Sequence, residues 1–450
     1  MSYLFKKILI WLARAQIQKY KPMIIGVTGN AGKTSTKEAI AAVLRQNKIV
    51  RIAAGNLNNE FGFALTILGD WDQEYYDRGS SAGLWLRVLL AGFRGLFVRR
   101  DCAEIFLLEY GADRPGDIKR LAGIFKPHIA VVTTVGDIPV HIEFFSAKGG
   151  SQPKADQPLA GAKSSGGKNG ADAVAAEKAN LVDSLAVTDY AVLNHDDVRV
   201  FNMKPKTKAK VITYGFEEGA TIRISDFKNL DTNESKPMGV SFKIHNSVDF
   251  ESIKITGSLG KSQAYAAAAA AAVGMALNIN FTKIVENLRQ YHGPNGRLKI
   301  LSGIKGSTII DDTYNASPAS MKLALETLRD SAGSRKIAAL GNMLELGEYT
   351  MKAHQDIGAL TVSFVDILVC VGVKARFIAE ASKIAKEKVF IFNTADEAKF
   401  KIKDLIREND IVLVKGSQGA RMEKIVAEIM AEPQRKKEFL VRQSKNWLSK

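Results

Sequence analysis

The chain has 450 residues, more than one ordinary hydrophobic core accommodates, so two or three domains are expected. With 46% hydrophobic and 24% charged residues it is neither disordered nor fibrous, and its two cysteines, Cys102 and Cys370, exclude a disulfide framework or cysteine-rich zinc site and fit a reducing cytosol. A formal charge of +16 asks for anionic partners, but nucleotides satisfy it as well as nucleic acid or an anionic membrane, and no basic run interleaved with aromatics marks a nucleic-acid site.

Residues 1–20 read as a basic, apolar helix without a signal-peptide cleavage site. Packing on the next domain is the favoured account, and weak contact with an anionic lipid surface the alternative. Pro22 then opens an α/β unit. Ile24 to Thr28 reads as a buried strand, Gly29-Asn30-Ala31-Gly32-Lys33-Thr34-Ser35 as a phosphate loop, and a helical pattern follows at Lys37. Glycines three residues apart let backbone N–H groups crowd a polyphosphate, Lys33 neutralises it, and Thr34 offers a hydroxyl to Mg²⁺. The spacing of the commonest phosphate loop is not met, because Val27 stands where its first glycine would be.

The amide-rich loop Gly55 to Gly62 makes Asn56, Asn58 and Asn59 candidate substrate contacts, although such residues also simply form turns. Leu84 to Val98 comes closest to a membrane span, but Arg87 and Arg94 interrupt it, which predicts an amphipathic surface or core helix. Ala103 to Gly111 reads as a buried parallel strand with Glu109 at its carboxyl end, where ligands of open α/β sheets sit. A second buried strand, His128 to Val135, leads to His141, a candidate metal or phosphate ligand against a structural histidine.

Residues 146–174 hold almost nothing able to form a core and read as a flexible insertion. A helix through Ala175 to Val182, strands at Tyr190 to Leu193 and Lys210 to Tyr214, and alternating β segments from Thr221 to Ile255 follow, the last with a turn at Thr232 to Pro237. Ser262 to Leu277 is alanine-rich and helical. Gly293-Pro294-Asn295-Gly296-Arg297 breaks the pattern and divides a central ATP-binding domain, 21–298, from a C-terminal domain, 299–450. In the second, strands at Ser307 to Asp312, Lys336 to Leu340, Ile367 to Gly372, Val389 to Phe392 and Ile411 to Val414 alternate with helices. The fold class is thus α/β: a phosphate-loop domain with a mostly parallel sheet, then a Rossmann-like α/β domain.

These residues together resemble a family, the Mur ligases, which use ATP to join amino acids to a cell-wall precursor. Thr28 to Thr34 is similar to their phosphate loop, and the ordered blocks Gly55 to Glu60, Glu109 to Asp117, Asp311 to Met321, Leu340 to Gly347 and Val414 to Ser417 are closest to the branch that adds D-alanyl-D-alanine. The resemblance covers residues 21 to 430. It implies that Gly29, Asn30, Ala31, Gly32, Lys33, Thr34 and Ser35 bind ATP phosphates and that Thr34 and Glu109 hold one Mg²⁺. A second metal site is implied at His141 and a carbamylated Lys178, with Arg297 at the terminal phosphate and Asp312 at the nucleotide. Asn315 and His354 also match the branch. A carbamate turns an amine into an anion able to bind a cation; the plain alternative for Lys178 is a solvated helix lysine.

What the resemblance implies is a cytoplasmic enzyme of peptidoglycan synthesis: an acyl phosphate forms on a nucleotide-linked muramoyl peptide and the dipeptide amine attacks it. The chain departs from the family pattern at three places. About twenty residues precede the loop where a uridine-diphosphate-binding domain is usual, so either another surface or a separate partner binds that end or the acceptor differs. The family's His and Asn positions fall on Ser262, Gln263 and Ala266, and the loop Gly136 to His141 is longer than usual. Competing expectations are a related ligase with a folate or polyamino-acid acceptor, and a switch protein that hydrolyses ATP without ligation.

Overall fold

The computed structural model describes residues 3–53, 57–79, 81–98, 103–139, 141–146, 170–232 and 236–448. Expectations at Gly55, Asn56, Cys102, residues 147–169 of the insertion and residues 233–235 of the turn lie outside them.

The larger sheet has nine strands in the order β2-β3-β1-β4-β5-β6-β7-β8-β9. They are β1 (Met23–Thr28), β2 (Val50–Ile52), β3 (Ile105–Glu109), β4 (Ile129–Val132), β5 (Tyr190–Asn194), β6 (Lys210–Gly215), β7 (Ile222–Asp231), β8 (Pro237–His245) and β9 (Phe250–Thr256). The pairings from β2 to β7 are parallel, while β7, β8 and β9 form an antiparallel meander. Parallel strands covered on both faces read as continuous apolar runs, which is why β1, β3, β4 and β5 are legible without alternation.

On one face Ile25, Val27, Leu107 and Val131 pack against α2 (Lys33–Leu44) and α10 (Lys261–Ala276). Seven consecutive alanines, Ala266 to Ala272, are fully buried in α10 and let it lie close to its neighbours. On the other face Ile24, Phe106, Leu108 and Val132 share a core with α1 (Tyr3–Tyr20), α3 (Glu60–Leu68), α5 (Ala82–Phe97), α6 (Asp117–Ile124) and α8 (Gly170–Asp183). Three short helices, α4 (Asp72–Arg78), α7 (Ile142–Ser146) and α9 (Val198–Phe201), fill the corners. Leu9, Leu12 and Ala13 of α1 are buried, and Gln16 Nε2 donates to the Gly92 carbonyl of α5 at 3.0 Å, so α1 packs on the following unit.

Two boundaries differ from expectation. Helix α8 begins at Gly170, so residues 170–174 belong to it and not to the insertion. Strand β4 stops at Val132, because the amides of Val135 and Gly136 turn to the Asp197 carboxylate instead of a neighbouring strand.

The second sheet has the order β10-β11-β15-β12-β13-β14. It comprises β10 (Lys299–Ser302), β11 (Thr308–Asp312), β12 (Lys336–Gly341), β13 (Ile367–Val371), β14 (Val389–Phe392) and β15 (Ile411–Lys415). Only the edge strand β10 is antiparallel, so this is an open, mostly parallel α/β sheet. One core cluster includes α2 and α10 residues together with Leu298, Ile310 and Met321, joining the two sheets. The carboxyl ends of β1, β4 and β5 thereby face those of β11 and β15, across the cleft where such sheets bind ligands.

Candidate active site

The loop between β1 and α2 is held open by its sequence. Gly29 has φ 144°, and a Cβ there would stand 1.9 Å from Thr133 Oγ1; Gly32, with φ 84°, occupies the N-cap of α2 without a side-chain cap. The first N–H groups of α2 therefore keep no intrahelical acceptor, and the first turn carries no acid, which leaves an anion site. Asn30 braces the loop from outside: its N–H donates to Thr134 O at 2.6 Å and its Nδ2 to Val135 O at 2.8 Å. Thr133 Oγ1 donates to Ala31 O at 2.7 Å.

Lys33 Nζ folds back onto Gly29 O at 2.9 Å and stands 3.7 Å from Glu109 Oε1. Burial lowers its pKa, the Glu109 carboxylate opposes that shift, and Arg297 adds to it. Glu109 lies between two lysines, with Oε2 3.7 Å from Lys37 Nζ; Lys37 itself is buried and donates to Ala53 O at 2.6 Å. At those distances the lysines act on Glu109 through charge alone, and its buried Oε2 has no hydrogen-bond partner.

Lys178 of α8 is fully buried beside Lys33, and burial first, then that neighbouring charge, pushes its pKa down to about 7. Its sequence neighbour Glu177 turns away to accept from Gly116 N at 2.8 Å and Ile118 N at 2.7 Å at the start of α6. The solvated-lysine alternative is thereby excluded. His141 sits in a left-handed turn, φ 66°. Its Nε2 is 3.8 Å from Asp113 Oδ1, and its Nδ1 is 3.2 Å from Glu345 Oε2 of the second sheet's loops without hydrogen-bond alignment. Burial, then the Lys33 and Lys178 charges, push it down to about 4 against the pull of Asp113.

From the other side, Arg297 Nη2 reaches Thr34 Oγ1 at 3.4 Å, and its guanidinium lies 4.1 Å from the Tyr314 ring centroid. Asp312 pairs with the wholly buried Lys415 at 2.7 Å, and Lys415 also donates to Asn315 O at 2.9 Å. Arg297, Asp312 and Lys415 border a cleft of about 430 Å³ that also takes in Gly32, Ser35, Asp197 and Tyr265.

Three expected site residues have other work. Asn59 caps α3, its side chain accepting from Phe61 N and Gly62 N. Asn58 packs where a Cβ on Gly111 would meet its Nδ2 at 2.1 Å, beside the β3 terminus. His354 is buried away from the cleft: Nε2 accepts from Met343 N at 3.0 Å while Nδ1 donates to Thr350 O at 2.7 Å, so the ring braces the loop after β12.

Other residues were not anticipated. Asp197 accepts from Thr134 Oγ1, Val135 N and Gly136 N with one oxygen and from Arg199 N and Val200 N with the other. Burial raises its pKa, but those bonds outweigh it and hold the carboxyl below its usual range. Tyr265 donates to Asp196 at 2.7 Å, and Gln263, one of the positions that depart from the family pattern, donates through Nε2 to Arg297 O at 3.1 Å. The signal for Asp197 was its place just past a buried strand.

Family comparisons agree with this architecture. The Mur ligase middle domain matches residues 169–274, and the Mur ligase glutamate ligase domain matches residues 296–418. The chain belongs to the Mur ligase family and is an ATP-dependent, ADP-forming ligase.

Its relatives include the UDP-N-acetylmuramoyl-tripeptide--D-alanyl-D-alanine ligases of Bacillus subtilis (strain 168), 27% identical over 94% of this chain and 79% of that one, and of Escherichia coli (strain K12), 26% identical over 91% and 77%. Among solved structures, MurF from Acinetobacter baumannii superposes with a TM-score of 0.73 at 24% identity over 93% of this chain and 79% of that one. The Thermotoga maritima MurF ligase in complex with ADP gives 0.72 at 22% identity, over 96% and 84%. These two likenesses speak for the fold.

Proposed function

We propose that this enzyme joins D-alanyl-D-alanine to the carboxylate of a UDP-muramoyl-tripeptide-type precursor through an acyl phosphate, in the cytoplasmic stage of peptidoglycan synthesis. The observation that carries the proposal is the convergence of Lys33, Glu109, Lys178 and His141 with Arg297 around one uncapped helix N-terminus. Residues 21–298 and 299–450 would act as two bodies joined at the Gly293–Arg297 segment, so that closure of the second completes the site beside Arg297.

In this proposal the loop amides and Lys33 bind the ATP phosphates, and Arg297 meets the charge that develops on the transferring phosphoryl group. The acceptor carboxylate attacks the terminal phosphorus and ADP departs; the dipeptide amine then attacks the acyl carbon, loses a proton and displaces phosphate. Holding both substrates in one cleft makes that second attack effectively intramolecular. Asp312 and Ser35 border the nucleotide end, Asn315 the approach from the second unit.

Among the described residues no group of three His, Cys, Asp or Glu side chains converges as a ready metal site. A magnesium ion still fits the residues present: Glu109 has a buried oxygen without a hydrogen-bond partner, and Thr34 adds a hydroxyl, the remaining positions falling to phosphate oxygens and water. His141, with its own buried nitrogen lacking a hydrogen bond, and a carbamate on Lys178 would hold a second. The ions would neutralise phosphate charge.

An isotope experiment tests the acyl phosphate. With ¹⁸O in the acceptor carboxylate, one label should appear in the released inorganic phosphate. Unlabelled phosphate formed together with condensed product would exclude the intermediate.

A further inference from the structure

Helix α5 keeps a second apolar face that the fold leaves uncovered. Leu84, Val88, Ala91 and Gly95 face the core, whereas Leu86, Leu90, Phe93 and Phe97 are 59%, 60%, 43% and 83% exposed. Their spacing, four, three and four residues, sets them in one line along the helix. Trp11 of α1, 56% exposed, extends the patch, its ring 6.2 Å from that of Phe93. Five large apolar side chains on one continuous surface exceed the scattered exposure usual for a water-facing helix pair.

Within α1 and α5 the charge has one sign. Neither α1 nor α5 contains an aspartate or glutamate, and Arg14 and Arg94 are exposed beside the apolar line. Arg87 is engaged by Glu74 of α4. We infer that the α1–α5 face docks on an anionic lipid bilayer surface, with α5 lying in the interfacial plane. Among the described residues no helix is long and apolar enough to span a membrane, so the binding mode is peripheral: the apolar line enters the acyl boundary, Trp11 sits at headgroup depth, and the basic residues meet lipid phosphates. The lipid contact considered for α1 thus falls mainly to α5, because α1 buries its own apolar side. A second copy fits less well, since the basic side chains of α1 and α5 would meet their own kind. The inference does not depend on the ligase assignment.

The test is co-sedimentation of the full chain with vesicles of equimolar phosphatidylglycerol and phosphatidylcholine, against phosphatidylcholine alone. Binding to the anionic vesicles should be at least about tenfold stronger and weaken with salt. Leu90→Gln/Phe93→Gln/Phe97→Gln should reduce it to background with an unchanged far-UV circular dichroism spectrum, and Arg14→Glu/Arg94→Glu, which spares the apolar line, should weaken it about tenfold. Absence of wild-type binding, equal binding by both variants, or a wild-type dimer that the triple variant converts to monomer without any vesicle binding would overturn the inference.

Discussion

Arg297 Nη2 stands 3.4 Å from the Thr34 hydroxyl, although the two residues are 263 positions apart and lie on opposite sides of the cleft. The guanidinium is steadied from behind by the Tyr314 ring and through its backbone by Gln263. A donor so placed acts on charge that appears in the transition state. Arg297→Ala is expected to lower kcat by about 10²–10³-fold, with the ATP KM changed far less. Steady-state kinetics would contradict this by showing a KM effect alone.

Lys178 provides a second test. Its pKa near 7 lies below the roughly 10.4 of an exposed lysine, so the amine is neutral, and able to add CO₂, above about pH 7. With ¹³C-bicarbonate at fixed dissolved CO₂, a carbamate signal should rise through neutral pH and be absent in Lys178→Arg. A signal that appears only above pH 9 would remove this lysine from the proposed site.

The buried pair Asp312–Lys415 sets a stability test. Lys415 has no exposure, and its burial and neighbouring Asp312 act oppositely on its charge. Lys415→Met leaves a carboxylate in the core without its partner, which should cost about 3–5 kcal/mol in urea unfolding, while Asp312→Asn/Lys415→Met together should cost less than the sum of the single changes. Additive losses would mean the two side chains do not interact.

Asp311 should shape the pH profile of stability. Its carboxyl is pushed up to about 6 by burial, despite bonds from Thr313, against about 3.9 in the unfolded chain. Between those values the folded state binds the extra proton, so this contribution is full below about pH 4 and lost as pH rises through 6. Asp311→Asn should therefore flatten the profile in that window and gain about 1–3 kcal/mol at pH 8 relative to wild type. Thermal melts at pH 4 and 8 with the same difference for both proteins would refute it.

The phosphate loop, the strand ending at Glu109 and the sheet of the second unit were legible because each is set by neighbours in sequence: glycine spacing, an apolar run, a strand-helix alternation. Lys178 and Arg297 came through family resemblance, since nothing within a few residues of either marks it as buried or cleft-facing. What escaped depends on distant packing. Asp197 acquires its role from amides that follow β4, Lys415 from Asp312, and Lys37 from Glu109 and Ala53. Asn59 and His354 show the converse, because a polar side chain that matches a motif can be wholly engaged by the backbone beside it.

Asn59 turns that contrast into a measurement. Its cap on α3 predicts that Asn59→Ala lowers stability by about 1 kcal/mol and leaves substrate KM values unchanged. A raised KM at unchanged stability would return Asn59 to the site.

The central claim is ligation, and the most direct measurement supplies the purified full chain with ATP, Mg²⁺, D-alanyl-D-alanine and a UDP-linked muramoyl tripeptide, following phosphate release and product mass together. Release should require both substrates, yield the condensed peptide in equal amount, and disappear in Lys33→Ala. Phosphate release indifferent to both substrates, with no condensed product, would contradict the account.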